Sequence, residues 1–140
     1  MNYTIEYVVE NYKEIIEKAK TDIEERWYVL DCFSDFIECT TIDFVVAHHT
    51  ELEALAEAGL GGWYNLAPGV PENIDRLIKA GYDEEDVLEV AAMEIRNRLS
   101  YDETCKLSKA SRCGNFCDTL ANLCPNIKPE YHERLHGLIA

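Results

Sequence analysis

Apolar residues recur every three or four positions over most of this chain, which restricts it to a helical fold. The first such run extends from about Thr4 to Lys20. This spacing places one apolar stripe along a helix and cannot give the alternation of a half-buried strand. The segment 28–33 is aromatic and β-branched enough to suit a strand as well, but it follows a helix-capping pattern. We therefore predict an all-α fold.

Capping residues divide the predicted helices. Thr21 and Glu24 have the spacing of a capping box, in which each side chain bonds the other's backbone amide. The second helix begins there, with a predicted inner face of Ile23, Trp27, Leu30, Phe33 and Ile37. Thr40 or Thr41 caps a third helix, which ends at Gly59.

The C-terminal half repeats these signals after a loop rich in Gly and Pro at 59–71. Helices are predicted from Pro71 to Gly81, from Asp83 to about Leu99, from the capping box Ser100–Glu103 to Gly114, and from Pro129 to Leu138. Gly114 is expected to break its helix, with Asn115 capping the continuation.

The length of 140 residues suits a single domain. We predict six or seven short helices in one compact domain, with the N-terminal helices packed as a bundle. Its parts are an acidic N-terminal half (1–58), the aromatic Gly/Pro loop (59–71) and the C-terminal helices (72–140).

Negative charge is concentrated in the N-terminal half. The net charge is -14, and residues 1–57 contain 14 acidic and four basic residues. Between Trp27 and Asp75 there is no Lys or Arg, while nine acidic residues occur. Helical surfaces ordinarily mix the two signs to gain pairs along the helix. A surface without counter-charge suits a basic partner, although a solvated face that maintains solubility is the simpler interpretation.

Four acids of the second predicted helix form one stripe: Glu24, Asp31, Asp35 and Glu38. At about 100° per residue they fall within about 60° of one another, opposite the predicted apolar face. The aromatic residues Trp63 and Tyr64 of the loop could lie at the rim of this surface as contacts, or fold back over the core.

The stripe favours a non-catalytic protein-interaction module with a basic protein partner. The most specific version is an inhibitor that occupies the basic nucleic-acid-binding groove of an enzyme, because a row of carboxylates offers some of the charges of a nucleic acid. Small acidic phage proteins that block restriction or CRISPR nucleases act in this way as a class. The comparison with them rests on charge and size.

The same charge balance argues against direct binding of nucleic acid or of an anionic membrane surface. The N-terminal segment lacks the basic region of a signal peptide and contains an acidic residue, Glu6, near its start. We therefore expect a cytoplasmic location. Most of the six cysteines are then expected to be reduced core residues.

A Cys/His pattern offers an alternative function. Cys113 and Cys117 are spaced like His132 and His136, so an i,i+4 pair from each of two helices could hold a structural Zn²⁺. Cys124 is a spare ligand. Core thiols with surface histidines are the other interpretation, since the β-hairpin of a zinc finger is missing.

A small enzyme is the third hypothesis. His48 with Glu51 and His49 with Glu53 are i,i+3 and i,i+4 pairs, which could serve acid–base chemistry or bind a metal. Such pairs are also common on helix surfaces, and the sequence contains no H-E-x-x-H motif.

Overall fold

The structure is a computed structural model that describes residues 3–34, 41–63 and 69–139. Within them lie ten α-helices and no strand, so the all-α prediction is confirmed. The helices are α1 (Ile5–Glu10), α2 (Tyr12–Ala19), α3 (Ile23–Ser34), α4 (Ile42–Ala47), α5 (His49–Glu57), α6 (Ile74–Ala80), α7 (Glu84–Arg98), α8 (Tyr101–Cys113), α9 (Phe116–Leu123) and α10 (His132–Ile139). Short 3₁₀ turns at Pro71–Asn73 and Pro129–Tyr131 precede α6 and α10. None of the helices in these ranges is long and apolar enough to cross a membrane.

The chain divides into two compact units, residues 1–68 and 69–140. Unit 1 contains α1 to α5, and unit 2 contains α6 to α10. Whether they form one domain stays a prediction.

The helices are more numerous than predicted because two long ones are interrupted and because the segment after Gly114 forms a separate helix, α9. The expected first helix breaks at Asn11, which has φ -114° and ψ 25°. Its side-chain Nδ2 donates to the carbonyl oxygen of Tyr7 at 2.9 Å, a local bond that competes with the helical pattern. The expected third helix breaks at His48, whose backbone has a similar conformation, with φ -117° and ψ 36°.

In unit 1, α1, α2, α3 and α5 pack on one another, as predicted for the N-terminal helices. The buried apolar side chains of these four helices are Ile5, Val8, Val9, Ile15, Ala19, Val29, Cys32, Phe33, Leu52 and Leu55. Thr41 caps α4 by accepting from the amide of Phe44 at 3.4 Å. Thr40 lies outside the described residues.

The predicted inner face of α3 is wrong at three of its residues. Ile23 and Trp27 are 66% and 64% exposed, and Leu30 is 38% exposed. Phe33 is buried as predicted, and the other buried residues of the helix are Glu25, Val29 and Cys32. Ile37 lies outside the described residues.

The cap of α3 also differs from the prediction. Asp22 takes the place expected for Thr21, because its Oδ1 accepts from the amides of Glu24 and Glu25 at 3.0 and 3.3 Å. A side-chain cap is therefore present at the start of α3, but Asp22 provides it and not the preceding residue, Thr21.

In unit 2, α7 packs against α6, α10 and the Pro71–Asn73 turn. The helix α7 begins after Asp83 as predicted, and the Asp83 side chain caps it. The predicted capping box of Ser100 and Glu103 forms at the start of α8. Gly114 ends α8 with φ +81°, and Asn115 is the N-cap residue of α9 as predicted, although its side chain makes no capping hydrogen bond.

Hydrogen bonds to Glu94, together with the ion pairs of Arg98, hold the backbone at the beginning of unit 2. The Glu94 carboxylate accepts from the amides of Gly69 and Val70 at 2.7 and 3.1 Å, and from Arg98 Nη2 at 2.8 Å. Arg98 also pairs with Glu72.

Gly61→Ala should destabilise unit 1 more than a matched substitution in unit 2. Gly61 has φ +141°, and a Cβ there would overlap the ring of buried Phe33. Gly114 also has positive φ but has nothing within 4 Å of a new Cβ, so Gly114→Ala should cost only backbone strain of about 1–2 kcal/mol. Overpacking should add about 1–3 kcal/mol at Gly61. Urea unfolding of both variants measures the difference, and equal losses would contradict this account.

Candidate functional site

Two members of the acidic stripe, Glu24 and Asp31, lie exposed on α3. Within the described ranges, no Lys, Arg or His side chain approaches either carboxylate to 4.0 Å. Asp35 and Glu38 fall outside the described residues. The structure therefore brings half of the predicted stripe onto one exposed helix face.

The surface around these acids is apolar, which the sequence analysis missed. We call Ile23, Glu24, Trp27, Leu30 and Asp31 the α3 face. At about 100° per residue its three apolar members span about 60° of the helix, and the two acids follow within about 60° of Trp27. The acids were predicted opposite the apolar residues, and the structure places them beside the exposed ones.

The far side of the α3 face is bordered by Arg26. Its guanidinium Nη2 donates to the carbonyl oxygen of Gly59 at 3.4 Å. This base therefore bonds the backbone after α5, on the side of the apolar strip away from the acids.

Trp63 is 5% exposed and belongs to the core of unit 1. This matches the core alternative that the sequence left open, because a partner would reach almost none of the side chain. Tyr64 lies outside the described residues, so its predicted contact role stays a prediction.

A buried carboxylate in unit 1 had no signal in the sequence. Glu25 is 2% exposed. It accepts a hydrogen bond from the hydroxyl of Tyr3 and pairs with Lys18 Nζ at 3.1 Å. Donation to this carboxylate, together with burial, raises the pKa of Tyr3 to about 12. A buried charge needs such partners, and they come from residues distant in sequence.

The four predicted zinc ligands have separate surroundings in unit 2. Cys113 is exposed, and the Cys117 thiol donates to Glu133 Oε1 at 3.1 Å. His136 Nε2 lies 2.7 Å from Ser111 Oγ, and its ring stacks on Phe116 with centroids 4.2 Å apart. His132 is buried, and its Nε2 has no hydrogen-bond partner in the described part of the chain.

Across residues 3–34, 41–63 and 69–139, no three His, Cys, Asp or Glu side chains form a group that could hold a metal. A structural Zn²⁺ on Cys113, Cys117, His132 and His136 stays a prediction. Cys124, the spare ligand, is half-buried, and burial raises the pKa of its thiol.

A cavity of about 270 Å³ lies beside part of this set. It is lined by Gly114, Phe116, Cys117, Asp118, Glu133 and His136. The hydrogen bond to Glu133, and then burial, raise the pKa of the Cys117 thiol. Since the thiolate is the form that attacks substrates or binds metal, these contacts favour an inert thiol.

The histidines proposed for an enzyme are half-buried in unit 1. His48 Nδ1 lies 3.5 Å from Glu51 Oε2, and the imidazole packs on Phe44 with ring centroids 4.5 Å apart. His49 and Glu53 are half-buried on α5. Catalysis by these pairs stays a prediction.

Tyr3→Phe should lower the free energy of unfolding by about 1.5–3 kcal/mol, the range for a hydrogen bond to a charged group. Tyr7→Phe is the matched control, because Tyr7 stacks on Tyr3 at 5.2 Å and is 48% exposed. Denaturant titration measures both variants. Equal losses would show that the Tyr3 hydroxyl contributes nothing specific.

The effect of Tyr3→Phe should also depend on pH. The folded protein keeps the Tyr3 proton up to about pH 12, whereas the unfolded chain loses it near 10. The stabilisation is therefore complete below pH 10 and is lost as pH rises to about 12. The stability difference between wild type and Tyr3→Phe should shrink over this interval, and a constant difference would contradict the assignment.

Glu133→Gln should lower the pKa of Cys117 and speed its alkylation, because the variant removes a carboxylate that favours the neutral thiol. Iodoacetamide labelling followed by mass spectrometry measures the rate, with exposed Cys105 as the reference. Glu130→Gln is the control, and an unchanged Cys117 rate in Glu133→Gln would show that the contact does not govern the thiol.

Comparison with known proteins adds no relative: no family model, no curated protein and no solved structure matches this chain.

Proposed function

We propose that this chain is a non-catalytic protein-interaction module that binds a basic protein partner through the acids of the α3 face. The observation that carries the proposal is the exposure of Glu24 and Asp31 without a described cation within 4.0 Å. The chain therefore leaves these carboxylates available to an outside cation.

The acids of unit 2 give a useful contrast. There, Glu72 and Glu94 pair with Arg98, Asp75 pairs with Lys128, and Glu84 pairs with Arg134. These acids support the fold, whereas Glu85 and Glu89 on α7 are exposed and belong to no ion pair among the described residues. Asp31 lies inside the base-free stretch from Trp27 to Asp75 and Glu24 lies just before it, and complementary charge would speed encounter with a basic partner.

The narrower proposal is an inhibitor that occupies a basic nucleic-acid-binding groove. Its support is the spacing of Glu24, Asp31, Asp35 and Glu38 in the sequence. Carboxylates in the groove would compete with phosphates for the same Lys and Arg side chains, so the inhibitor and the nucleic acid would exclude each other.

Charge reversal tests the proposal. The double variant Glu24→Lys/Asp31→Lys should weaken partner binding by roughly tenfold or more, because two attractive contacts become repulsive. Glu85→Lys/Glu89→Lys is the matched control, since both acids are exposed on α7 and the net charge changes equally. Glu24 and Glu85 also both lie in the first turn of their helices.

The measurement is capture of partners on the immobilised protein, followed by elution in steps of rising salt. A partner retained by wild type and the α7 variant, and lost from the α3 variant, is the expected result. Equal retention by both variants would refute a role for these acids. Release of the partner by added DNA or RNA would separate nucleic-acid mimicry from binding at another basic surface.

A further inference from the structure

The apolar strip of the α3 face consists of Ile23, Trp27 and Leu30. A surface that served only to keep the protein in solution would not be expected to carry it. Ile23 and Trp27 both expose about two thirds of their side chains. They lie one helical turn apart, so they form one continuous patch. Scattered single apolar residues on a surface need no explanation, whereas adjacent large ones mark interaction sites.

Trp27 has the properties of an interface anchor. Tryptophan is enriched among residues that contribute most to binding, and such anchors are usually surrounded by polar groups that exclude water around them. Here Asp31 and Glu24 lie directly beside Trp27 on the helix, within about 60°. A partner that covers Trp27 must therefore meet two carboxylates at the same time.

We propose that the α3 face docks an amphipathic segment of a protein partner, whose apolar side chains cover Trp27 and Ile23 and whose flanking Lys or Arg residues meet Glu24 and Asp31. This inference rests on the proposed function and specifies its partner. A purely polar basic groove would leave Trp27 and Ile23 in water or bury them without apolar contacts.

Charge disfavours a second copy of this chain as the occupant. A symmetric dimer through this face would bury the Glu24 and Asp31 carboxylates of both copies in one interface. Like charges across an interface disfavour association, and each chain carries a net charge of -14. A basic amphipathic segment satisfies both the apolar and the acidic parts of the face.

Two contributions with different salt responses follow from this surface. Screening shortens the range of the charge contacts from about 8 Å at 0.15 M salt to about 3 Å at 1 M. Apolar burial is not screened, and some salts strengthen it. Binding through the α3 face should therefore weaken with salt and then level off at a residual affinity set by Trp27.

Two synthetic peptides of about five helical turns, roughly 18 residues, serve as probes. One has Leu along one face and Lys along its borders, and the other replaces every Leu with Ser at unchanged charge. Fluorescence anisotropy of the labelled peptides gives their affinities for the full-length protein. The Leu/Lys peptide should bind at least about tenfold more tightly, equivalent to about 1.4 kcal/mol, and should remain bound at 1 M salt.

Tryptophan emission locates the peptide. The chain has two tryptophans, of which Trp27 is exposed and Trp63 is buried. Acrylamide, a neutral quencher that the carboxylates do not repel, should quench Trp27 more than Trp63 in the free protein, and the Leu/Lys peptide should reduce the quenching of Trp27. Trp27→Ala should reduce binding of the Leu/Lys peptide to the level of the Ser/Lys peptide. Tyr101→Ala is the control, because Tyr101 is an 83% exposed aromatic residue on α8.

The outcomes separate this inference from the proposed function. Equal binding of the two peptides, both weakened by Glu24→Lys/Asp31→Lys, would overturn the apolar docking and leave the acidic module standing. If neither peptide binds, both the apolar docking and the proposed acidic interaction module are overturned. Equal losses in Trp27→Ala and Tyr101→Ala would overturn docking at α3. Sedimentation that shows a dimer abolished by Trp27→Ala would also overturn the inference, by making a second copy the occupant.

Discussion

The burial of Glu25 determines which side of α3 faces the core of unit 1. A carboxylate 2% exposed is tolerated only with strong partners, and the Tyr3 hydroxyl and the Lys18 ammonium group supply them. With Glu25 turned inward, Val29 and Cys32 follow it into the core. Trp27 then lies on the opposite side, in water. The contacts of one buried carboxylate thus accompany both the packing of the helix and the composition of its outer surface.

The surface created in this way would combine two kinds of recognition if the proposed partner binds there. The carboxylates would act over distance and guide a basic partner toward α3, whereas the indole of Trp27 would contribute only after contact, when water is expelled. An acidic face alone would bind many cationic proteins weakly. Addition of an apolar strip makes binding depend on shape, so the α3 face would reject partners that match it in charge only.

Helix termini were largely predictable from the sequence, whereas the orientation of α3 was not. The caps at Thr41, Asp83 and Ser100 act through neighbouring residues, so their signals are local. The rotation of α3 depends on Tyr3, which lies 22 residues from Glu25. Apolar periodicity assigned Trp27 to the inner face, which is wrong, and it gave no signal for the burial of Glu25. The exposure of Glu24 and Asp31 was correctly anticipated, while the apolar half of the face was not.

The Glu94 contacts at the beginning of unit 2 have a consequence for a chain cut before Gly69. The amide of Gly69 now donates to the Glu94 carboxylate at 2.7 Å. After cleavage the same nitrogen would be an α-amino group, with a pKa of about 7.7–8.0 and hence a positive charge at neutral pH. An amide hydrogen bond would become an ion pair with the same oxygen atom. The new amino terminus would therefore be held in place by the carboxylate that anchors the intact backbone.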